Sequence, residues 1–191
     1  MANIGIFGGT FDPVHRGHLA VARAALRRLR LEKVIFLPAG VPPHKQHKAR
    51  AAFRHRFAML KLATAGEARF AVSRLEASGV HYSIDTVRRM KRSLKKSDRL
   101  FFLLGMDAFH DIATWHRAEE LLRECEFVVA SRRGAPLKPA RRSGAVARRL
   151  SVYNSVSATQ VRAAARRGWP LDALVPLSVA RYIEEHRLYR R

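Results

Sequence analysis

The sequence predicts an α/β fold: a doubly wound, open parallel sheet with a small helical part at its C-terminal end. Three observations predict it. Short runs rich in Val, Ile, Leu and Phe alternate with segments of helical periodicity, the pattern of successive βαβ units. Two of those runs, NIGIFGG and LFFLLG, are nearly all apolar and end in glycine, as strands buried inside a parallel sheet do. The length of 191 residues, 48% of them hydrophobic, suffices for one sizeable core.

The elements follow in order. Asn3–Gly8 reads as the first strand. Arg16–Leu29 sets Leu19, Ala22, Leu26 and Leu29 on one face and arginines elsewhere, an amphipathic helix. Lys33–Leu37 (KVIFL) is a second strand, and the prolines of Pro38–Arg50 mark a loop. Phe53–Ala65 has helical spacing, Phe70–Ser73 reads as a short strand, and Ser83–Leu94 reads as a helix with Ser83 as N-cap. Leu100–Leu104 is a strong strand, Ala118–Leu122 a helix and Phe127–Ala130 a strand. Ser131–Arg149 holds seven Lys or Arg and no acid, among glycines and prolines, which is loop composition. A short strand is expected over Leu150–Tyr153. Ser157–Arg167 then reads as a helix with Ser157 at the N-cap and Gly168 and Pro170 ending it. Leu177–His186 is the last helix. Five or six strands are expected in one domain spanning residues 1–191, with a helical subdomain from about residue 155.

Composition narrows the function classes. The single cysteine, Cys125, excludes an internal disulfide framework. No apolar run approaches the ~20 residues of a membrane span, and strand-like sequence begins at once without a basic leader. A cytoplasmic protein is the expectation. The net charge of +22 favours polyanions. Nucleic acid, a phosphate-rich small substrate, or an arginine-rich bias on solvated faces each account for it. The charge is spread along the chain rather than gathered in one tail.

The densest chemistry lies in GIFGGTFDPVHRGH, residues 5–18. In an open parallel sheet ligands sit beyond the carboxyl ends of the strands, which is where Thr10–His18 falls. Gly8 and Gly9 let backbone approach a ligand, and the helix behind them points free N–H groups and a partial positive charge at the same place. His15 and His18, three residues apart, can face one way. The combination describes a phosphate cradle with two imidazoles. Zinc ligation would need a third ligand that is not evident nearby, and packing at a helix start is the bland alternative. The chain has no Gly-Lys pair, so the P-loop pattern is absent, and the dinucleotide pattern G-x-G-x-x-G is missing from the first turn.

GGTFDPVHRGH resembles the (T/H)xGH signature of the nucleotidyltransferase superfamily, with His15-Arg16-Gly17-His18 in the HxGH positions. In its full form it looks most like the nicotinate-nucleotide adenylyltransferases. Further segments are similar to that family in the right order: VPPHKQ (41–46), YSIDTV (82–87), LLGMDAFHDIATWHRAEEL (103–121), SRRG (131–134) and VSATQVR (156–162). Two depart from the pattern: Ala158 replaces a common serine, and Arg133 a proline.

The resemblance implies a Rossmann-like sheet of nucleotidyltransferase type. It implies adenylyl transfer from ATP to nicotinate mononucleotide, giving nicotinate adenine dinucleotide and pyrophosphate, with Mg²⁺ bound to the ATP. His15 and His18 would be catalytic. ATP would meet Gly8, Gly9, Thr10, Phe11, His15, His18, Gly105, Asp107, Arg132, Ser157, Thr159 and Arg162. The mononucleotide would meet His44, Lys45, Tyr82, Asp85, Thr86, Trp115 and His116. No protein-caged metal is implied, and self-association stays open. Rival acceptors within the fold are nicotinamide mononucleotide and phosphopantetheine. A rival from another class is a nucleic-acid-binding protein using the patches Lys45–Arg56 and Arg132–Arg149, against which the chain shows no RRM, zinc-finger or helix-turn-helix signature.

Overall fold

The computed structural model describes residues 1–40, 49–79, 81–131, 147–152 and 156–190. Its centre is a six-stranded parallel sheet in the order β3-β2-β1-β4-β5-β6, with β1 Asn3–Gly9, β2 Lys33–Pro38, β3 Phe70–Val72, β4 Arg99–Gly105, β5 Glu126–Ser131 and β6 Ala147–Ser151. The chain runs outward from β1 to β3, then returns to place β4 on the other side of β1. The carboxyl ends of β1 and β4 therefore flank the point where the winding reverses, where such sheets form a crevice.

Both faces of the sheet are covered, and strand alternation decides which side chain goes where. Phe7, Phe101, Leu103 and Val128 enter one core with α1 (Arg16–Arg28), α2 (Phe53–Thr64), α6 (Ala158–Arg167) and α7 (Leu177–Glu185). Their strand neighbours Ile6, Phe102, Leu104, Phe127 and Val129 enter the other, with α3 (Ser83–Arg92), α4 (Met106–His110) and α5 (Ala118–Glu124). The two C-terminal helices thus share the core of α1 and α2: Val161, Ala164, Val179 and Ile183 are buried there. Between α2 and α7, His55 Nδ1 lies 3.0 Å from Tyr182 Oη.

Ser157 caps α6 as its sequence predicts. Its Oγ accepts the Gln160 N–H, and Gly168 ends the helix at φ 67°. Elsewhere two expectations are corrected. The N-cap of α3 is Tyr82, and Ser83 is the first helical residue. The last strand begins at Ala147, three residues before the expected Leu150, so Ala147–Arg149 pair with β5. Helix α4 and a 3₁₀ turn at Ile112–Thr114 occupy the stretch between β4 and α5, for which no element is predicted from the sequence. Among the described residues no helix is long and apolar enough to cross a membrane.

Candidate active site

The loop after β1 folds back under the sheet. Phe11 is buried in the left-handed backbone region at φ 49°, and its ring packs on Phe7 and on His18, 4.9 Å between centroids for the latter. The Asp12 carboxylate is buried and fully engaged. It accepts the Arg50 N–H at 2.6 Å, the Ala51 N–H at 3.1 Å and the Tyr189 hydroxyl at 2.7 Å. Its carbonyl accepts Arg162 Nη1 at 2.7 Å. One aspartate thus joins the β1 loop, the start of α2, helix α6 and the C-terminal segment.

His15 caps α1 and His18 lies one turn in. Their rings stack, 3.7 Å between centroids and 28° between planes. The His15 N–H donates to His18 Nδ1 at 3.3 Å. A neutral imidazole that accepts at Nδ1 carries its proton on Nε2, so His18 presents an N–H donor on the ring edge away from the helix start. His15 is 6% exposed and its Nδ1 has no hydrogen-bond partner among the described residues. A side chain on Gly17 would lie 2.9 Å from that Nδ1 and 3.0 Å from the Val156 carbonyl, so glycine lets the start of α1 meet the approach to α6.

Burial holds both imidazoles neutral near pH 7. It pushes His15 down to about 4, and it lowers His18 well below the ordinary range, helped by His15 beside it. Between the unfolded value of 6.5 and about 4, the unfolded chain binds a proton at His15 that the folded one refuses. Stability therefore falls as pH drops through that window. The expected result is that His15→Gln, which cannot titrate, loses less Tm than the parent between pH 7 and pH 4.5. Parallel curves would show that His15 is not held neutral.

Not all helix N–H groups face the crevice. The Arg16 N–H donates to the Leu174 carbonyl at 2.9 Å, and the Gln160 N–H is taken by Ser157. Backbone donors at both helix starts are thus partly used internally, and side chains must supply more of any anion site.

Beyond the ends of β1, β2 and β4 lies a cavity of about 280 Å³. Gly8, Gly9, Thr10, Tyr82, Trp115 and His116 line it, and the Tyr82 and His116 rings pack at 4.2 Å. Trp115 also leans on the core, 6.3 Å from Phe102. Gly105 ends β4, exposed, with open space where a side chain would be. Asp107 and Asp85 are exposed. Thr86 is buried behind the cavity wall and donates to Glu76 Oε1 at 2.8 Å. Arg162 Nη2 donates to Thr159 Oγ1 at 3.2 Å. His44, Lys45 and Arg132 lie outside the described residues.

Three residues that the sequence did not single out shape this site. Arg56 is 2% exposed, and among the described residues every hydrogen-bond acceptor of its guanidinium is a carbonyl: Thr10 at 2.8 Å, Ala39 at 2.7 Å, Gly40 at 3.3 Å and Ala51 at 3.1 Å. Burial lowers its pKa and the nearby Asp12 carboxylate opposes that. Glu76 lines the cavity, and burial raises its pKa against the pull of the Thr86 hydrogen bond. Gly40 meets Glu76 so closely that a Cβ would stand 2.1 Å from the Glu76 carbonyl oxygen. Backbone cannot yield as a side-chain tip does. Gly40→Ala is expected to cost about 1–3 kcal/mol of stability and to raise the KM for the ligand of this cavity. Unchanged Tm and KM would show that the two segments separate freely.

Comparison with known proteins places this architecture. A family model described as cytidylyltransferase-like matches residues 6–164. A probable nicotinate-nucleotide adenylyltransferase from Thermoanaerobacter sp. (strain X514) is 40% identical, covering 98% of this chain and 94% of the relative. One from Gloeobacter violaceus is 42% identical, covering 97% and 95%. The structure of Plasmodium falciparum nicotinic acid mononucleotide adenylyltransferase complexed with NaAD superposes with a TM-score of 0.83 at 18% identity, covering 100% of this chain and 98% of that one.

Proposed function

This chain belongs to the nicotinate-nucleotide adenylyltransferases of the cytidylyltransferase-like family, and we propose that the crevice between β1 and β4 is where it transfers the adenylyl group of ATP to nicotinate mononucleotide. The products are nicotinate adenine dinucleotide and pyrophosphate, a step of NAD biosynthesis, in the cytoplasm. The observation that carries the site is the stacked, neutral His15–His18 pair at the start of α1, beside an aromatic-lined cavity.

The 5′-phosphate oxygen of the mononucleotide attacks the α-phosphorus of ATP, and the bond to the β-phosphate oxygen breaks. The attacking group is already an anion, so no strong base and no covalent nucleophile are needed. Positioning and charge stabilisation carry the reaction. His18 donates from Nε2–H to the transferring phosphoryl group, with its ring set by the His15 N–H and by Phe11. Thr10, His15 and Arg162 hold the departing phosphates, while Ser157 orders the start of α6. Tyr82, Trp115 and His116 receive the pyridine ring in the cavity, with Trp115 offering a flat face. Thr86 acts from behind that wall by holding Glu76, and Asp85, exposed in the first turn of α3, flanks the nicotinate end.

Mg²⁺ fits as an ion carried by the triphosphate and by water. Among the described residues no group of three His, Cys, Asp or Glu could cage it. When bound with ATP it supplies charge neutralisation on the phosphates.

The test is pyrophosphate release from Mg-ATP with nicotinate mononucleotide, nicotinamide mononucleotide and 4′-phosphopantetheine in parallel. Strong preference for the nicotinate acceptor is expected. Equal use of both pyridine nucleotides would overturn the acceptor, and release with none would overturn the reaction.

A further inference from the structure

The Tyr189 hydroxyl has no part in the transfer chemistry, yet the chain is folded to deliver it to the β1 loop. Helix α7 ends in a Schellman turn. The Arg187 N–H donates to the Glu184 carbonyl at 3.1 Å, and the Leu188 N–H donates to the Ile183 carbonyl at 3.0 Å. Arg187 takes the left-handed place of that turn, usually glycine's, at φ 49°. Tyr189 follows at φ 65°, also left-handed. Leu188 and Tyr189 pack against the core of α1 and α2. The chain is thus turned back from the helix end, and the Tyr189 hydroxyl donates to Asp12 Oδ1 at 2.7 Å.

At the other end of that bond the backbone is left-handed too. Phe11, next to Asp12, sits at φ 49°. Bulky side chains persist in that region only where the surroundings hold them, and such positions gather at functional sites. Burial first, and then the Asp12 carboxylate, raise the Tyr189 pKa, so the hydroxyl stays protonated and donates. Its bond is the shorter of two to Oδ1, the other being the Ala51 N–H at 3.1 Å. Phe11 in turn lays its ring on His18, 4.9 Å between centroids. A line of contact therefore runs from the end of α7 through Asp12 and Phe11 to the His18 imidazole.

We propose that Tyr189 is a positioning residue for adenylyl transfer: its hydroxyl fixes the Asp12 loop, and the fixed loop holds Phe11 against His18 so that Nε2–H keeps its aim. The proposal rests on the adenylyl-transfer reading for the identity of the reaction. The clasp itself stands on the hydrogen bond and on the three left-handed residues that frame it.

The experiment compares the full chain with its Tyr189→Phe variant, which keeps the ring and removes only the hydroxyl. Steady-state kinetics and amide hydrogen exchange over residues 10–19 are both read well below Tm. The kcat is expected to fall about 10-fold or more, as displacement of a reacting group does. The KM values for Mg-ATP and for nicotinate mononucleotide stay within about 3-fold, because the loss falls on the transition state. Exchange over residues 10–19 is expected to quicken at least ~3-fold as the loop opens more often. Tyr189→4-aminophenylalanine restores an N–H donor at the same place and recovers most of the kcat.

Tyr182→Phe is the control. It removes a hydroxyl from the same helix, one that meets His55 Nδ1 at 3.0 Å and not Asp12, and is expected to change kcat less than about 2-fold. Unchanged kcat in Tyr189→Phe, a loss confined to KM, or an equal loss in Tyr182→Phe would overturn the positioning role. Unchanged exchange over residues 10–19 would overturn the clasp. A parent chain that fails to adenylate nicotinate mononucleotide would overturn the reaction instead, and the exchange comparison would then decide the clasp alone.

Discussion

Replacing His18 with alanine is expected to lower kcat by about 100-fold or more while leaving the protein folded. The magnitude follows from the loss of one preorganised donor aimed at developing charge, a change that costs ~100–1,000-fold in turnover where such donors have been removed. The geometry supports a donor role over a general-base role. His18 Nδ1 is occupied by the His15 N–H at 3.3 Å, so the proton sits on Nε2. Burial holds the ring neutral, so it donates without carrying a charge of its own into the resting site. The stability cost is modest because the ring packs edge-on against Phe7 and Phe11 and closes no strand pairing. Steady-state kinetics with both substrates, together with thermal unfolding, separate the two effects. Near-normal turnover in a folded variant would remove His18 from the chemistry.

Replacing Arg56 with methionine is expected to produce the largest loss of stability from any single change considered. The guanidinium is 2% exposed and satisfies four carbonyls on three different segments. A methionine of similar length fills the volume and leaves those carbonyls without their donor. Each buried polar group abandoned in this way costs ~1–3 kcal/mol. A total of about 3–5 kcal/mol is expected, which corresponds to roughly 10 °C in Tm for a chain of this size. Arg56→Lys retains the charge and one donor position, and should recover part of the loss. Because Thr10 and Gly40 line the 280 Å³ cavity, the lysine variant should also raise the KM for the ligand of that cavity. A methionine variant as stable as the parent would show that the carbonyls find other donors.

The parts of this molecule that follow from periodicity were legible in its sequence. β1, β2, β4 and β5 are apolar runs between helices, and their ends moved by one or two residues at most. Ser157 and Gly168 act where capping chemistry puts them. The spacing of His15 and His18 stated that they share a helix start, and the structure stacks their rings. What periodicity does not encode was missed. Helix α4 has five residues, too few to establish a period. Strand β6 reads ARRLS; a strand is expected from Leu150, but the basic Arg148 and Arg149 hide its start inside a stretch with loop composition. Arg56 stands in FRHRFAMLKLAT beside Arg54 and His55, and only the return of Thr10 and Ala39–Gly40 to the same place buries it. Gly40 looks like an ordinary turn glycine until Glu76, 36 positions away, packs on its Cα.

The aspartate at the centre of the site has a further consequence for how activity is acquired. Asp12 is joined to Arg162 across 150 positions and to Tyr189 across 177, nearly the whole length of the chain. Closing such distant loops is a late and slow event, because the ordering cost precedes the contacts that reward it. The sheet and its flanking helices can assemble before this clasp forms. In refolding from denaturant, far-UV circular dichroism should therefore recover ahead of catalysis, and the interval between them would time the arrival of Tyr189 at Asp12.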